Sequence, residues 1–347
     1  MSYEEAYWRR QKVCVTGGAG FLGRVLCRRL RTLNCRAVMV PRRDTYDLTQ
    51  ADAVRRMYHD CTPDIVFHLA AEVGGIQANR RHPGRFLHAN LAMGMHLIDE
   101  GRSAGVQQFV QVGTVCSYPK YCPVPFRETR LWEGYPEESN APYGIAKKTL
   151  LVMLDAYRRE YGFNYAYVLP ANLYGPGDNF DPRRSHVIPA LIRRFHEAVA
   201  NGESVVRCWG TGQPSREFLY VDDAAKAIVR AAACQLDGQP INIGTGVETS
   251  IAELANLIAE LTGYAGSIEW DASQPDGQPR RRLDVSRAEE LLGWRASVDL
   301  RTGLGRTVDW WVQKCAADAQ SPAEPTTDSS GQSVPRPSGS GPPGRRE

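Results

Sequence analysis

The stretch that decides the fold is Val13–Gly23, which reads Val-Cys-Val-Thr-Gly-Gly-Ala-Gly-Phe-Leu-Gly. Its first four residues predict a short β-strand, and the apolar residues from Leu22 onward recur at helical spacing. A strand, a glycine-rich turn and a helix in this order are typical of a dinucleotide-binding unit. Gly17 permits the tight turn, Gly20 lets a pyrophosphate approach the backbone, and Gly23 allows close packing. The start of the helix then offers free N–H groups to phosphate.

The next predicted strand, Ala37–Val40, is followed by residues that bear on cofactor choice. NAD-selective sites usually carry an acid about 20 residues past the glycines, where it binds the ribose hydroxyls. Here Arg42 and Arg43 occupy that region, and guanidinium groups suit a 2′-phosphate. We therefore expect NADP(H), with two solvated loop arginines as the alternative. Asp47 and Leu48 are expected to border the adenine.

Two further strands are predicted over Asp64–Leu69 and Gln108–Val112. Ligands of an open parallel sheet lie beyond the carboxyl ends of its strands. Small residues such as Ala70 follow the first strand and let a flat cofactor lie close, whereas His68 is more typical of a packed strand-end residue than of a catalyst. Thr114 follows the second strand and is placed to donate a hydrogen bond to a substrate oxygen.

Cys116 lies two residues beyond Thr114. A thiol near a cation ionises more readily and then suits proton transfer. Taken alone, Cys116 is more typical of a buried, inert thiol. The sequence therefore leaves its role open at this point.

Tyr143 and Lys147 lie near the start of a helix that is predicted to run to about Tyr161. Their spacing puts both side chains on one helix face, one turn apart. A phenol has a reference pKa of about 10, and a neighbouring ammonium favours its phenolate. The pair is thus a candidate proton-transfer unit. On an amphipathic helix, however, such a pair more often reflects packing and solvated charge.

Composition excludes several classes of protein. The chain has 347 residues, 42% of them hydrophobic, which suits a large α/β domain or a core with a smaller lobe. Its net charge of +3 does not indicate nucleic-acid binding. No apolar run is long enough to span a membrane, and residues 1–12 lack the features of a signal peptide. Nine scattered cysteines without a Cys-x-x-Cys pair favour reduced thiols in the cytoplasm and no metal site.

We predict an α/β fold, a Rossmann-type doubly wound parallel sheet with a smaller C-terminal α/β substrate lobe. The predicted boundaries are 11–175, with part of 210–245, for the NADP-binding domain and mainly 176–315 for the lobe. Beyond about 316 the composition predicts a disordered tail.

Three helices carry specific predictions about caps and faces. One helix is expected to be capped by Asp222 or Asp223. Another, over Ser250–Leu261, begins with Ser250 and Glu253 at capping-box spacing. The helix predicted over 86–103 carries an apolar stripe formed by Leu87, Leu91, Met95 and Ile98.

Several of these motifs, in this order, resemble the extended short-chain dehydrogenase/reductase family, namely Thr16–Gly23, Thr114 and Tyr143-x-x-x-Lys147. The resemblance covers about residues 11–312. Further segments narrow it to the GDP-L-fucose synthase branch: His68–Ile76, Gly113–Lys120, Pro170–Phe180, Ser185–Ile192, Trp209–Gly212, Arg216–Leu219 and Pro275–Arg280. It implies NADPH-dependent 3,5-epimerisation and 4-reduction of GDP-4-keto-6-deoxy-D-mannose.

The resemblance implies a role for each matching residue. Tyr143 would donate a proton when hydride reaches the C4 ketone, and Lys147 would lower its pKa and hold the nicotinamide ribose. Thr114, where the family often has serine, would polarise the carbonyl. Cys116 and His186 would be the epimerisation base and acid, since a C4 ketone acidifies the C–H bonds at C3 and C5.

The family pattern also implies binding contacts. It assigns four residues to the diphosphate and guanine of the substrate, namely Arg194, Trp209, Arg216 and Asp276. Without the family pattern, such residues are more often surface charges or part of the core. A homodimer is expected, because relatives pair through two helices per subunit, here those near 86–103 and 143–161; the alternative is that the apolar stripes of these helices face the sheet. Besides the residues already assigned to the cofactor, its expected contacts are Phe21, Leu22, Tyr143, Lys147, Pro170, Asn172, Leu173 and His186.

The sequence departs from the family pattern at two positions, and three alternative functions are weighed. Ala19 and Glu72 stand where some members carry basic residues, which leaves the NADP preference and the exact sugar open. A nucleotide-sugar 4,6-dehydratase normally has an acid pair directly after Thr114, which is absent here, and a 4-epimerase would leave Cys116 and His186 without a role. A redox-sensing NADP-binding protein without catalysis tends to lose the Tyr/Lys pair, which is present.

Overall fold

The computed structural model of the protein describes residues 3–74, 81–274 and 276–320. Its centre is a parallel six-stranded sheet, which confirms the predicted fold class. From one edge to the other the strands run β2 (Ala37–Met39), β1 (Lys12–Thr16), β3 (Ile65–His68), β4 (Gln108–Val112), β5 (Tyr165–Pro170) and β10 (Ile241–Ile243). The chain direction across the sheet reverses at β1, so the crevice for a ligand lies at the carboxyl ends beside β1.

Two groups of helices pack on this sheet. In one group α2 (Phe21–Thr32) contacts α7 (Val221–Ala233). In the other, α3 (Ala51–Cys61) contacts α4 (Pro83–Ser103), which lies along α5 (Ala141–Tyr161). The reversal at β1, together with right-handed crossovers, puts the two groups on opposite faces.

A second hydrophobic core lies in the C-terminal half of the chain. Its helices are α6 (Val187–Asn201), α8 (Ile251–Thr262) and α10 (Leu300–Gln320), and its parallel strand pair is β7 (Val205–Trp209) with β12 (Ser267–Asp271). Ala171 belongs to the first core and Tyr174 to the second, whereas the domain boundaries themselves stay a prediction. The remaining elements are α1 (Tyr3–Trp8), β6 (Asn172–Tyr174), β8 (Ser215–Arg216), β9 (Phe218–Tyr220), β11 (Thr249–Ser250), α9 (Ser286–Leu292) and two 3₁₀ turns, Val115–Ser117 and Glu128–Trp132.

The predicted helix caps have different outcomes. Ser250 caps α8 in a capping box with Glu253, as predicted. The prediction for α7 is wrong, because its N-cap is Tyr220 and both aspartates lie in the first turn. Buried Asp223 instead accepts hydrogen bonds from the backbone N–H groups of Ser297 and Val298, at 2.7 and 2.8 Å.

Two further predictions need correction. The buried face of α4 includes Phe86, Asn90 and Leu97 together with Ile98 of the predicted stripe, whereas Leu87 and Leu91 are half-buried and Met95 is 44% exposed. The reason is that α4 buries the side facing α3 and α5. Residues 316–320 continue α10 and are not part of a tail, while 321–347 lie outside the described residues.

Three findings bear on the composition. No described helix is both long enough and apolar enough to cross a membrane. Across the described ranges, no three His, Cys, Asp or Glu side chains come together as a set that could hold a metal ion. All nine cysteines are free thiols.

Candidate active site

The glycine-rich turn between β1 and α2 is shaped for close approach of a ligand. Gly17 has a φ of +71°, and a Cβ there would lie 2.7 Å from the backbone nitrogen of Ala70. A Cβ on Gly23 would collide with the carbonyl oxygen of Gly17. Exposed Gly20 is the N-cap of α2 and provides no side-chain cap. Among the described residues, no acceptor takes the N–H groups of the first turn, which belong to Phe21, Leu22 and Gly23. This turn therefore fits a cofactor diphosphate.

The residues after β2 border the same crevice. Arg42 and Arg43 are exposed, and neither guanidinium forms a hydrogen bond or ion pair with another described residue. The backbone carbonyl of Arg42 accepts hydrogen bonds from the N–H groups of Thr45 and Tyr46, at 3.1 and 2.8 Å. The carboxylate of Asp47 accepts hydrogen bonds from the N–H and hydroxyl of Thr49, which hold its pKa below the usual value, and the charge of Arg43 adds to this. Leu48 packs into the first core, so Asp47 is the more accessible of the two residues expected near the adenine.

The turn after β4 carries Thr114 and Cys116 and packs against the start of α5. Thr114 Oγ1 accepts a hydrogen bond from the N–H of Cys116 at 3.2 Å. The hydroxyl of Ser117 donates to the carbonyl oxygen of Gly144 at 3.0 Å. A Cβ on Gly144 would lie only 2.6 Å from the carbonyl oxygen of Cys116. A glycine at this position thus brings the cysteine turn beside Tyr143.

Tyr143 and Lys147 share one face of α5. Lys147 Nζ lies 5.9 Å from the centroid of the Tyr143 ring. Lys147 is 1% exposed, and burial lowers its pKa to about 8. Burial raises the pKa of Tyr143, and the negative charge of a nearby Cys116 thiolate raises it further. The net shift of the Tyr143 pKa is upward, opposite to the lowering expected from Lys147, so Tyr143 holds its proton at neutral pH, in the form that can donate it.

His68 lies at the end of β3, close to Lys147. It is fully buried, and its Nδ1 shares a hydrogen bond of 2.8 Å with the hydroxyl of Thr16. Burial lowers the pKa of His68 far below its usual value, and the positive charge of Lys147 contributes. His68 is thus a neutral, packed strand-end residue.

His186 stands on a different segment from the cysteine. It is exposed and forms the N-cap of α6. Burial raises the pKa of the nearby Asp178 carboxyl above its usual value. A hydrogen bond from the N–H of Asn179 and the charge of His186 act in the opposite direction. Although both residues are described, no hydrogen bond or ion pair joins His186 to Cys116. The acid and base candidates therefore lie on separate segments of the chain.

Arg24 is a residue that sequence reasoning missed. Its guanidinium donates to the carbonyl oxygen of Ala19 at 3.0 Å and to that of Gly177 at 2.6 Å. It therefore ties the glycine-rich turn to the loop that leads to His186. No motif marked this residue, because its partners are backbone atoms far away in the sequence.

The strand ends between these loops hold three predicted cofactor contacts. Pro170 ends β5, and Asn172 begins β6. The side chain of Asn172 donates to the carbonyl oxygen of Glu217 at 3.0 Å. Leu173 is half-buried against the first core. All three lie at the carboxyl edge of the sheet.

The second core supplies the residues expected to bind the nucleotide part of a substrate. Trp209 is 65% exposed at the end of β7, so its ring is open to stacking. Arg194 donates to the carbonyl oxygen of Arg207 at 2.6 Å. Asp276 accepts hydrogen bonds from the N–H and hydroxyl of Thr211, at 2.7 and 2.8 Å. Asp276 thus closes a turn and keeps further acceptor capacity.

Arg216 lies between the residues of the second core and Cys116. Burial lowers its pKa to about 10, the charge of Arg281 adds to the lowering, and Cys116 acts in the opposite direction. Its Nη1 donates to the carbonyl oxygen of Ser215 at 2.7 Å. The three side chains Arg216, Arg281 and Cys116 therefore lie near one another, although they are far apart in sequence.

Arg281 and Glu217 are functional candidates that sequence reasoning missed. Arg281 Nη1 lies 3.8 Å from the Cys116 sulfur. Glu217 is 1% exposed, and its carboxylate accepts from the N–H groups of Thr245 and Leu283, both at 2.6 Å, and of Gly246 at 2.9 Å. Three successive arginines in a polar loop gave no sign of which one faces the thiol.

Comparison with known proteins identifies the family. Residues 13–244 match the model of the NAD dependent epimerase/dehydratase family. The chain belongs to this family. Its relatives include the probable GDP-L-fucose synthase 1 of Oryza sativa subsp. japonica, 41% identical over 87% of this chain and 92% of that protein. The GDP-L-fucose synthase of Escherichia coli (strain K12) is 40% identical over 88% of this chain and 97% of its own.

A solved structure is also similar to this chain. It is the GDP-L-fucose synthetase from Naegleria fowleri bound to NADP, with a TM-score of 0.80 and 27% identity over 88% of this chain and 93% of that chain. The predicted family resemblance is therefore confirmed. The range matched by the family model includes Cys116, Tyr143 and His186, whereas Asp276 and Arg281 lie beyond it.

Proposed function

We propose that this member of the epimerase/dehydratase family converts GDP-4-keto-6-deoxy-D-mannose to GDP-L-fucose. The conversion combines inversion at C3 and C5 with NADPH-dependent reduction at C4. The observation that carries the proposal is the packing of Gly144 against the turn after β4, which puts the Cys116 thiol beside Tyr143. A single cleft then holds a proton donor for reduction and a separate base for inversion.

The reduction uses Tyr143 as acid. When bound, NADPH supplies the hydride that adds to C4. Tyr143 donates its phenolic proton to the C4 oxygen, and its raised pKa keeps that proton in place until the oxygen becomes basic. Lys147 is buried one helical turn away, and its ammonium stabilises the resulting phenolate. The phenolate regains a proton from solvent.

The inversion uses Cys116 as base and His186 as acid. The Cys116 thiolate takes the proton from C3 or C5, and the electron pair of that C–H bond moves toward the C4 oxygen. Thr114 Oγ1 is the acceptor in its bond with the N–H of Cys116, so its hydroxyl proton remains available to that oxygen. Protonated His186 then delivers a proton to the opposite face of the same carbon.

The GDP part fits the residues of the second core. Arg216 and Arg194 carry guanidinium groups that suit the two phosphates. The exposed ring of Trp209 offers a flat apolar face. We assign Asp276 to a polar edge of the guanine. The cofactor is assigned to the glycine-rich turn, with Arg42 and Arg43 at its 2′-phosphate.

The test is incubation of the purified protein with NADPH and GDP-4-keto-6-deoxy-D-mannose. We expect loss of NADPH absorbance and an NMR spectrum of GDP-L-fucose. Cys116→Ser should slow inversion more than ketone reduction, and equal loss of both would contradict the division of roles. Interconversion of UDP-hexoses without NADPH consumption would instead support the 4-epimerase alternative.

We also propose a homodimer formed by α4 and α5. Both helices expose apolar side chains, since Met95 is 44% and Val152 51% exposed. The measurement is the molar mass in solution for the wild type and for the double variant Met95→Glu, Val152→Glu. A wild-type monomer, or a double variant that still dimerises, would exclude this interface.

A further inference from the structure

Three consecutive arginines near the cleft have three different environments. Arg280 is exposed and pairs with Glu248 through two hydrogen bonds, of 3.1 and 2.5 Å. Arg282 is half-buried, and its Nε has no hydrogen-bond partner among the described residues. Arg281 lies between them and points its Nη1 at the Cys116 sulfur, 3.8 Å away. A specific contact to a thiol thus distinguishes Arg281 from its two neighbours.

The guanidinium of Arg281 is held from behind by a neutral partner. Its Nε and Nη2 donate to Gln278 Oε1 at 3.2 and 2.8 Å. Gln278 in turn donates from Nε2 to the carbonyl oxygen of Lys120 at 2.8 Å. Within the described ranges no carboxylate forms an ion pair with Arg281. Its positive charge therefore remains available to the sulfur.

Both sides of this contact rest on fixed backbone. The carbonyl oxygens of Pro279 and Arg282 accept hydrogen bonds from the N–H groups of Ser215 and Phe126, at 2.9 and 2.7 Å. These bonds flank Arg281 on either side. The other partner of the contact, Cys116, lies in a turn that is held against α5 by the hydrogen bond from Ser117 to Gly144. The distance between guanidinium and sulfur is thus set by two anchored segments.

We propose that Arg281 is a catalytic residue of the inversion, whose guanidinium stabilises the Cys116 thiolate and keeps its lone pair directed into the cleft. This role rests on the proposed function. A thiolate is the form of cysteine that can take a proton from carbon, and a fixed cation favours it over the thiol. The rival role is binding of the substrate diphosphate beside Arg216.

The first experiment measures the Cys116 thiolate directly, without substrate. Iodoacetamide alkylation of the Cys116 peptide is followed by mass spectrometry, which separates it from the other thiols. In Arg281→Gln we expect alkylation to be about tenfold slower at pH 7. Arg281→Lys should restore most of the rate. Arg280→Gln, which removes the same charge one residue away, should match the wild type.

A second variant guards against a fold defect in Arg281→Gln. Gln278→Leu leaves the guanidinium in place but removes its anchor, and alkylation should again slow, by a smaller factor. If both variants keep the wild-type unfolding temperature and alkylate at the wild-type rate, the proposal is wrong. A weaker affinity for GDP together with unchanged alkylation would assign Arg281 to the diphosphate and also overturn it.

The turnover experiment separates this role from the proposed reaction. In D₂O, deuterium entering C3 and C5 reports inversion, and NADPH loss reports reduction. Arg281→Gln should slow deuterium entry about tenfold more than ketone reduction. A wild-type protein inactive toward the keto-sugar would refute the proposed function and leave the alkylation result intact. Equal slowing of both steps would contradict the role of Arg281.

Discussion

The carboxyl edge of the sheet and the segment 276–284 reach the same cysteine by different means. At the sheet edge, Thr114 lies two residues after the end of β4, and Tyr143 lies in the first turn of α5. Regular secondary structure therefore sets the positions of both residues. The segment 276–284 has no regular structure apart from an isolated bridge at Leu283. Its side chains are positioned by hydrogen bonds to residues distant in sequence.

The buried carboxylate of Glu217 is central to that second arrangement. It accepts N–H groups from the turn after β10 and from Leu283. Burial raises its pKa, while these hydrogen bonds and the charge of Arg282 act in the opposite direction. A loop can thus be as well positioned as a helix, but at the cost of burying a charge whose partners are backbone groups.

The largest effect is expected at the sheet edge. Tyr143→Phe removes the proton that the C4 oxygen must receive, so reduction should slow about a thousandfold with little change in the unfolding temperature. NADPH loss under saturating keto-sugar measures the rate. Tyr157→Phe is the control, since Tyr157 lies on the same helix and bonds to Asp99 at 2.9 Å. Comparable loss in both variants would mean that the helix, not the phenol, matters.

The segment 276–284 should respond in stability rather than chemistry alone. Glu217→Gln puts an amide NH₂ where backbone N–H groups need an acceptor, so we expect the free energy of unfolding to fall by about 2–3 kcal/mol. Denaturant titration measures it. Glu269→Gln is the control, because Glu269 forms an exposed ion pair with Arg207, worth at most about 1 kcal/mol. A Glu217 variant as stable as this control would remove the contrast between the two regions.

Much of the sheet edge could be predicted from the sequence. The glycines mark Gly17 and Gly23 because only glycine fits so close to a neighbouring backbone, and four-residue spacing marks Tyr143 and Lys147 because a helix repeats every 3.6 residues. The direction of the Tyr143 pKa shift was wrong, since burial depends on tertiary packing that spacing does not contain. The predicted N-cap of α7 was wrong for a related reason. The carboxylate of Asp223 accepts a hydrogen bond from the hydroxyl of Ser297, which is distant in sequence.

The contacts of segment 276–284 could not be predicted. The sequence shows three equivalent arginines, and the choice of Arg281 for Cys116 depends on hydrogen bonds of Pro279 and Arg282 with Ser215 and Phe126, which are distant in sequence. Arg24 and Glu217 were missed because their partners are backbone atoms, which every residue provides. Local periodicity predicts elements; it does not predict which backbone groups meet.

A pH profile offers a sharper test of the sheet edge. The pKa of Lys147 is lowered to about 8 by burial, so its ammonium is present below that pH and lost above it. Without the ammonium the Tyr143 phenolate is less stable, and kcat/KM for reduction should fall about tenfold per pH unit above about pH 8. Lys147→Arg keeps the charge, and its profile should lose this falling limb. An unchanged limb in that variant would assign the titration to another group.

The smallest effect is expected where the sheet edge is most exposed. Replacing Arg42 and Arg43 together by glutamine removes two exposed guanidinium groups near the expected 2′-phosphate, so the preference for NADPH over NADH should fall about tenfold. The ratio of kcat/KM for the two cofactors measures it. Arg36→Gln is the matched control, because Arg36 is also exposed but precedes β2, at the opposite edge of the sheet. A ratio that does not change in the double variant would mean that cofactor choice depends on groups more firmly held than these two.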